Sequence, residues 1–157
     1  METTASYEQD FYLWTQRQAA ELRRAAAQGS NLPLDWGNLA EEIESLGSRD
    51  RRELGSRLGQ VLVHLLKLRF SPAVDPRGGW EETVERERGD IQALLADSPS
   101  LRNTLDAALA REWPIARRAA ARALAREVDA KALPADCPFS LNEVLDPDFW
   151  PEPVTPP

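Results

Sequence analysis

The sequence predicts an all-α fold, a single-domain helical bundle of about five main helices with a short C-terminal helix and an irregular Pro-rich tail. Three observations predict it. Apolar residues recur at three- and four-residue spacing, the period of one helix face, through most of the chain. Helix stops and starts fall between these periodic stretches, at Gly29, Asp35, Gly47, Ser48, Ser98 and Pro99. Alanine, the strongest helix former, crowds the segment from 105 to 128. At 157 residues one hydrophobic core is the default, so residues 1–157 read as one domain, with 131–157 packed on it as a tail.

The first helix is expected over 6–28, with Tyr7, Phe11, Trp14 and Leu22 near one face and Gly29 just past its end. Asp35 can accept from the exposed amides of a second helix and cap it from Trp36 to about Leu46. On that helix Leu39, Ile43 and Leu46 form a narrow apolar stripe. Glu41 and Glu44 point away, and Glu42 flanks the stripe, open to partial burial.

Gly47 and Ser48 supply a stop and a new cap, so a bend and a third helix from about Arg49 to Phe70 are expected. Its second half is apolar on nearly every side and should be the centre of the bundle. Gly55 and Gly59, each costing about 1 kcal/mol against alanine, mark a close approach by a neighbouring helix. Two prolines and two glycines in SPAVDPRGG make a connection, so a fourth helix is expected from Trp80 to about Leu95. Its inner face carries Trp80, Val84, Ile91 and Leu94 or Leu95. Ser98 and Pro99 then cap and open a fifth helix to about Val128, kinked at Pro114. Ser140 with Glu143 forms a capping box for a short helix to about Leu145. Phe149 and Trp150 are expected to anchor the extended tail on the bundle.

Composition narrows the function classes. No apolar run approaches the ~20 residues of a membrane helix, so no membrane span is expected. The opening METTASYEQDFYLW lacks a basic start followed by an apolar stretch, which makes the cytoplasm the expected compartment. A lone cysteine, Cys137, cannot make an intramolecular disulfide and reads as a small buried hydrophobe. The net charge of −7 opposes attraction to phosphate backbones, so nucleic acid is not an expected partner. An unidentified protein partner or self-association remains open. No nucleophile elbow and no phosphate-binding loop is present, and no cofactor is expected.

Two constellations carry what chemistry there is. The first is a polar cluster of Trp36, Glu42, His64, Lys67 and Arg86, read as a candidate ligand site or a structural network. Glu42 and His64 would meet if the second and third helices folded back on each other. Such a seam could hold a mononuclear metal only with further ligands, and one histidine cannot supply a di-iron site. The second is a stripe of Arg111, Arg118, Arg122 and Arg126 on the outer face of the fifth helix, either a solvated face or a docking site for an acidic partner. The tail carries five acids against one lysine, so partial pairing of those acids with the stripe is expected. The five tryptophans, spread over the segments, read as packing groups.

The blocks DFYLW, DWGNLAEEIESLG, LVHLLKLRF, GGWEETVERER, DSPSL and CPFSLNEVLDPDFWPE, in that order, resemble the bacterial family known as domain of unknown function 29. The resemblance covers nearly the whole chain and implies a compact all-helical fold in a bacterial protein. The family's third block carries an aromatic where Leu68 stands here, so no stacking is implied at that point. No activity comes with the resemblance. The reading leans away from an enzyme, toward a noncatalytic protein acting through protein–protein contacts. The alternative is an enzyme or a small-ligand or metal-binding domain with its site near Glu42 and His64.

Overall fold

The computed structural model describes residues 6–154. The expectations about the first five residues and about the end of the tail lie outside the described residues. Within them every regular element is helical. These are α1 (Phe11–Ala27), α2 (Trp36–Phe70), α3 (Arg77–Asp97), α4 (Leu105–Ala123) and α5 (Leu141–Leu145), with 3-10 turns at Pro99–Thr104 and Ala130–Ala132. The all-α expectation therefore holds. No helix among the described residues is long and apolar enough to cross a membrane.

The main departure is at Gly47. The expected second and third helices are one, α2, which runs without interruption from Trp36 to Phe70. A Cβ on Gly47 would overlap Thr15 Oγ1 and come within 3.2 Å of the Tyr12 ring. This glycine thus serves the close approach of α1 rather than a chain reversal. Gly29 is the glycine that stops a helix: its φ of +73° is the left-handed conformation that other residues avoid.

The chain packs as two compact units. One holds the residues up to Glu53 together with Ala93–Thr104, and the other Leu54–Gln92 with the residues from Leu105 onward. The first unit has few large core groups. Ala19, Ala40, Leu95 and Leu101 are buried, beside Thr15 and Ser98. The expected stripe of Leu39, Ile43 and Leu46 is not its core. Leu39 and Leu46 are exposed and Ile43 is half-buried, because Ala40 and Gly47 of the same helix face inward.

Polar bonds hold the start of α1, which begins at Phe11 rather than residue 6. Asp10 caps it, accepting from the Leu13 amide at 2.9 Å, and also accepts from the Ser100 amide and hydroxyl at 2.7 and 2.8 Å. The Ser98 hydroxyl accepts from the Tyr12 amide at 3.0 Å. Ser98 was expected to cap the helix that follows it. It caps α1 instead, and the chain after Pro99 opens as a 3-10 turn before α4.

The second unit has the larger core. Leu54, Leu58, Val61, Leu62, Leu65 and Leu66 of α2 are wholly buried, as are Val84 and Ile91 of α3 and Val144 of α5. Gly55 and Gly59 mark the expected close approach, since Cβ atoms there would stand 3.2 Å from the Glu112 carboxylate of α4. Arg77 explains why α3 starts three residues before Trp80. Its guanidinium donates to the Leu68 and Ser71 carbonyls at 2.6 and 3.4 Å, which closes the C-terminus of α2 and fixes the first residue of α3. Pro114 lies inside α4 as expected. The capping box of α5 is formed by Ser140 and Glu143, with bonds of 2.8 and 3.2 Å.

Candidate functional site

The continuous α2 separates the two halves of the polar cluster. Glu42 and His64 stand on one uninterrupted helix, so the fold-back of two separate helices that was to bring them together at a seam is not formed. Glu42 is exposed. Trp36 is half-buried at the start of α2, and its indole N–H, wholly inaccessible, has no partner among the described residues. Among the described residues no three His, Cys, Asp or Glu side chains converge as a metal site would require.

The other three members lie in the second unit. His64 Nδ1–H donates to the Gln60 carbonyl at 2.8 Å, which fixes the tautomer and leaves Nε2 as an acceptor. Burial pushes the imidazole pKa below its ordinary value. The Gln60 bond and Glu87 oppose that shift, while Lys67 and Arg86 add to it. A neutral imidazole at pH 7 follows. Lys67 places its ammonium 5.7 Å from the centre of the Trp80 ring, a cation–π contact between α2 and α3. Arg86 is exposed, with its guanidinium 3.9 Å from Glu87. Glu87 is in turn held at 3.0 Å by Arg57, which also pairs with Asp90 at 2.8 Å. These groups link α2 to α3.

The arginine stripe is placed more simply. Arg111, Arg118 and Arg122 are exposed on α4, whereas Arg126 is exposed in the turn beyond its end. Arg111 lies 3.4 Å from Glu112. Arg118, Arg122 and Arg126 make no ion pair among the described residues. Ile115, one turn before Arg118, is 59% exposed. Beside them a cleft of about 480 Å³ is lined by Trp113, Pro114, Arg117, Arg118, Ala121 and Ala135.

The tail is held by two arginines that the sequence reading passed over. Arg88, only 3% exposed, donates from Nε to the Val144 carbonyl, from Nη1 to that of Phe149 and from Nη2 to that of Glu143, at 2.9, 3.0 and 2.9 Å. Its guanidinium also lies 5.3 Å from the Trp150 ring. Burial lowers its pKa and the nearby Asp146 and Glu85 oppose that, with no effect on its charge at neutral pH. Arg117 donates to the Pro134 and Leu133 carbonyls at 2.7 and 3.0 Å, and Trp113 Nε1 to that of Ala135 at 2.9 Å. The expected pairing of tail acids with the arginine stripe is therefore replaced by arginines bonded to main-chain carbonyls. Trp150 anchors the tail through its contact with Arg88 of α3, whereas Phe149 stands edge-on to the buried Phe139, itself in the tail, at 6.2 Å.

A signal for Arg88 was present. It falls, with Glu87, in the gap of the inner stripe of α3 between Val84 and Ile91, where buried residues would be expected. Cys137 is half-buried with its thiol on the Phe139 carbonyl at 3.3 Å, and burial raises its pKa, as befits an inert group.

The family model for domain of unknown function DUF29 matches residues 6–150. A solved structure from Rhodospirillum rubrum ATCC 11170, an alpha-helical protein of unknown function, is similar to this chain. The identity is 28% and the TM-score 0.75, over 92% of this chain and 91% of that one. No curated protein matches the chain significantly.

Proposed function

This chain belongs to the DUF29 family, and we propose that it acts without catalysis, in the cytoplasm, through protein–protein contacts made by the outer face of α4. One observation carries the proposal. Arg118, Arg122 and Arg126 stand exposed and unpaired among the described residues, beside an exposed Ile115, in a chain of net charge −7. A chain rich in acids could have paired these arginines, and among the described residues it does not. Arginine is enriched at protein–protein interfaces relative to the rest of the surface, and the exposed Ile115 beside it offers an apolar contact. The occupant it fits is an acidic segment of a protein partner carrying one apolar residue for the Trp113–Pro114 cleft. Charge steers such an encounter, and the apolar contact holds it.

The test compares tagged full-length chain with its Arg118→Glu, Arg122→Glu double variant. We expect a set of proteins retained by the first and lost by the second. They should also be released when salt rises from about 0.1 M to about 1 M, which shortens the screening length from about 10 to about 3 Å. Retention of the same proteins by both forms at both salt levels would overturn the reading.

A further inference from the structure

At the opposite sign of charge, the first unit carries a cleft of about 320 Å³ lined by Tyr7, Glu8, Phe11, Asp50 and Asp97. Its wall is aromatic. Tyr7 stands at right angles to Phe11 and Trp14, with ring centres 5.4 and 5.0 Å away, while Phe11 and Trp14 lie nearly parallel at 6.1 Å. Tyr7 remains 56% exposed in spite of these contacts, an unusual position for a ring already held in place by two others. The rim is acidic, and neither Asp50 nor Asp97 has a hydrogen-bond or ion-pair partner among the described residues. Asp97 is moreover the last residue of α3, where the helix dipole presents its negative end and disfavours a carboxylate. Burial and the neighbouring carboxylates Glu53 and Asp97 push the Asp50 carboxyl above its ordinary range.

We propose that this cleft binds the guanidinium of an arginine side chain presented by a partner polypeptide, stacked on the Tyr7–Phe11 wall and bonded to Asp50 and Asp97. Guanidinium is the cation that fits both halves of the site, since it is planar, lies flat on aromatic rings and offers a fork of N–H donors to carboxylates. A metal ion would make no use of the rings. A neutral apolar side chain would leave the carboxylates desolvated and unpaired.

The test is calorimetric titration of the full chain with a short glycine-rich peptide carrying one arginine, and with the same peptide carrying citrulline, its neutral isostere. The arginine peptide should bind at least about tenfold more tightly, the citrulline peptide lacking both the charge and a donor pair. Tyr7→Ala should weaken binding about threefold while Tyr7→Phe, which keeps the ring, restores it. Asp50→Asn with Asp97→Asn should weaken it about tenfold. Tyr7 and Asp97 are at the surface, so circular dichroism should show these variants folded. Citrulline binding within about twofold of arginine would overturn the proposal, as would the absence of heat up to about 10 mM peptide or unchanged affinity in both variants. Acetyl-arginine amide binding more tightly than the peptide would overturn the assignment to a polypeptide. Because no residue of the α4 face takes part, either outcome here is independent of the fate of the docking reading.

Discussion

Arg88 is the residue on which most of the C-terminal segment depends. Three carbonyls from two different stretches converge on one guanidinium that is almost wholly buried, so removing it strands three acceptors at once. Arg88→Met should therefore lower the unfolding free energy by roughly 3–5 kcal/mol in urea titrations. Arg88→Lys should recover little of it, since an ammonium on a single stem cannot reach three carbonyls in a plane. His64 makes a different kind of contribution. A base whose folded pKa lies below its unfolded value takes up a proton on unfolding. Its stabilising effect is thus present above the ordinary value of 6.5 and is lost as pH falls toward the folded value. The wild type should lose more stability than His64→Gln when urea midpoints at about pH 7.5 and about pH 5 are compared. Neither residue's role could be taken from composition. Arg88 was one arginine among many acids until its place in an apolar stripe was filled, and His64 was drawn to Glu42 only by a bend that α2 does not have.

At the scale of elements the question is what a glycine signals. In the sequence Gly29 and Gly47 look alike, each followed by a serine at the end of an amphipathic stretch. Gly29 takes a positive φ and ends α1. Gly47 continues α2 and admits Thr15 where any Cβ would collide. Alanine at 47 would gain about 1 kcal/mol of helix propensity, but the overlap with Thr15 costs more, typically 1–3 kcal/mol. Gly47→Ala should accordingly destabilise the protein on balance. Thr15→Ala in the same chain should rescue it, so that a double-mutant cycle reads a coupling of about 1 kcal/mol or more. The caps divide in the same way. Ser140 with Glu143 bond within four residues and were legible in the sequence, whereas Ser98 reaches the Tyr12 amide 86 residues away and was not. A local signal predicts a local bond, and nothing in the spacing of Ser98 and Pro99 names a distant helix.

Over the whole molecule burial is uneven. Seven apolar residues of α2, Leu54, Leu58, Val61, Leu62, Leu65, Leu66 and Leu68, are at or near zero exposure, whereas α1 buries only Thr15 and Ala19. Hydrogen exchange should follow this difference, with the slowest amides in Leu58–Leu66 and faster exchange throughout α1, as measured by mass spectrometry over a time course. The sequence by itself determined the helical class, several helix ends, among them Ala27, Trp36, Phe70 and Leu141, the apolar centre of α2 and the tail anchor Trp150. Each of these follows from periodicity, capping chemistry or composition, which act over a few residues. Only the tertiary structure decided that α2 is continuous, that Ala40 and Gly47 rather than Leu39 and Leu46 face inward, and that Arg88 and Arg117 hold the tail by its carbonyls. It also decided that Tyr7, Asp50 and Asp97 share one cleft. These depend on which distant group arrives at a given surface, and a small residue or a buried charge takes its meaning from that neighbour rather than from its place in the chain.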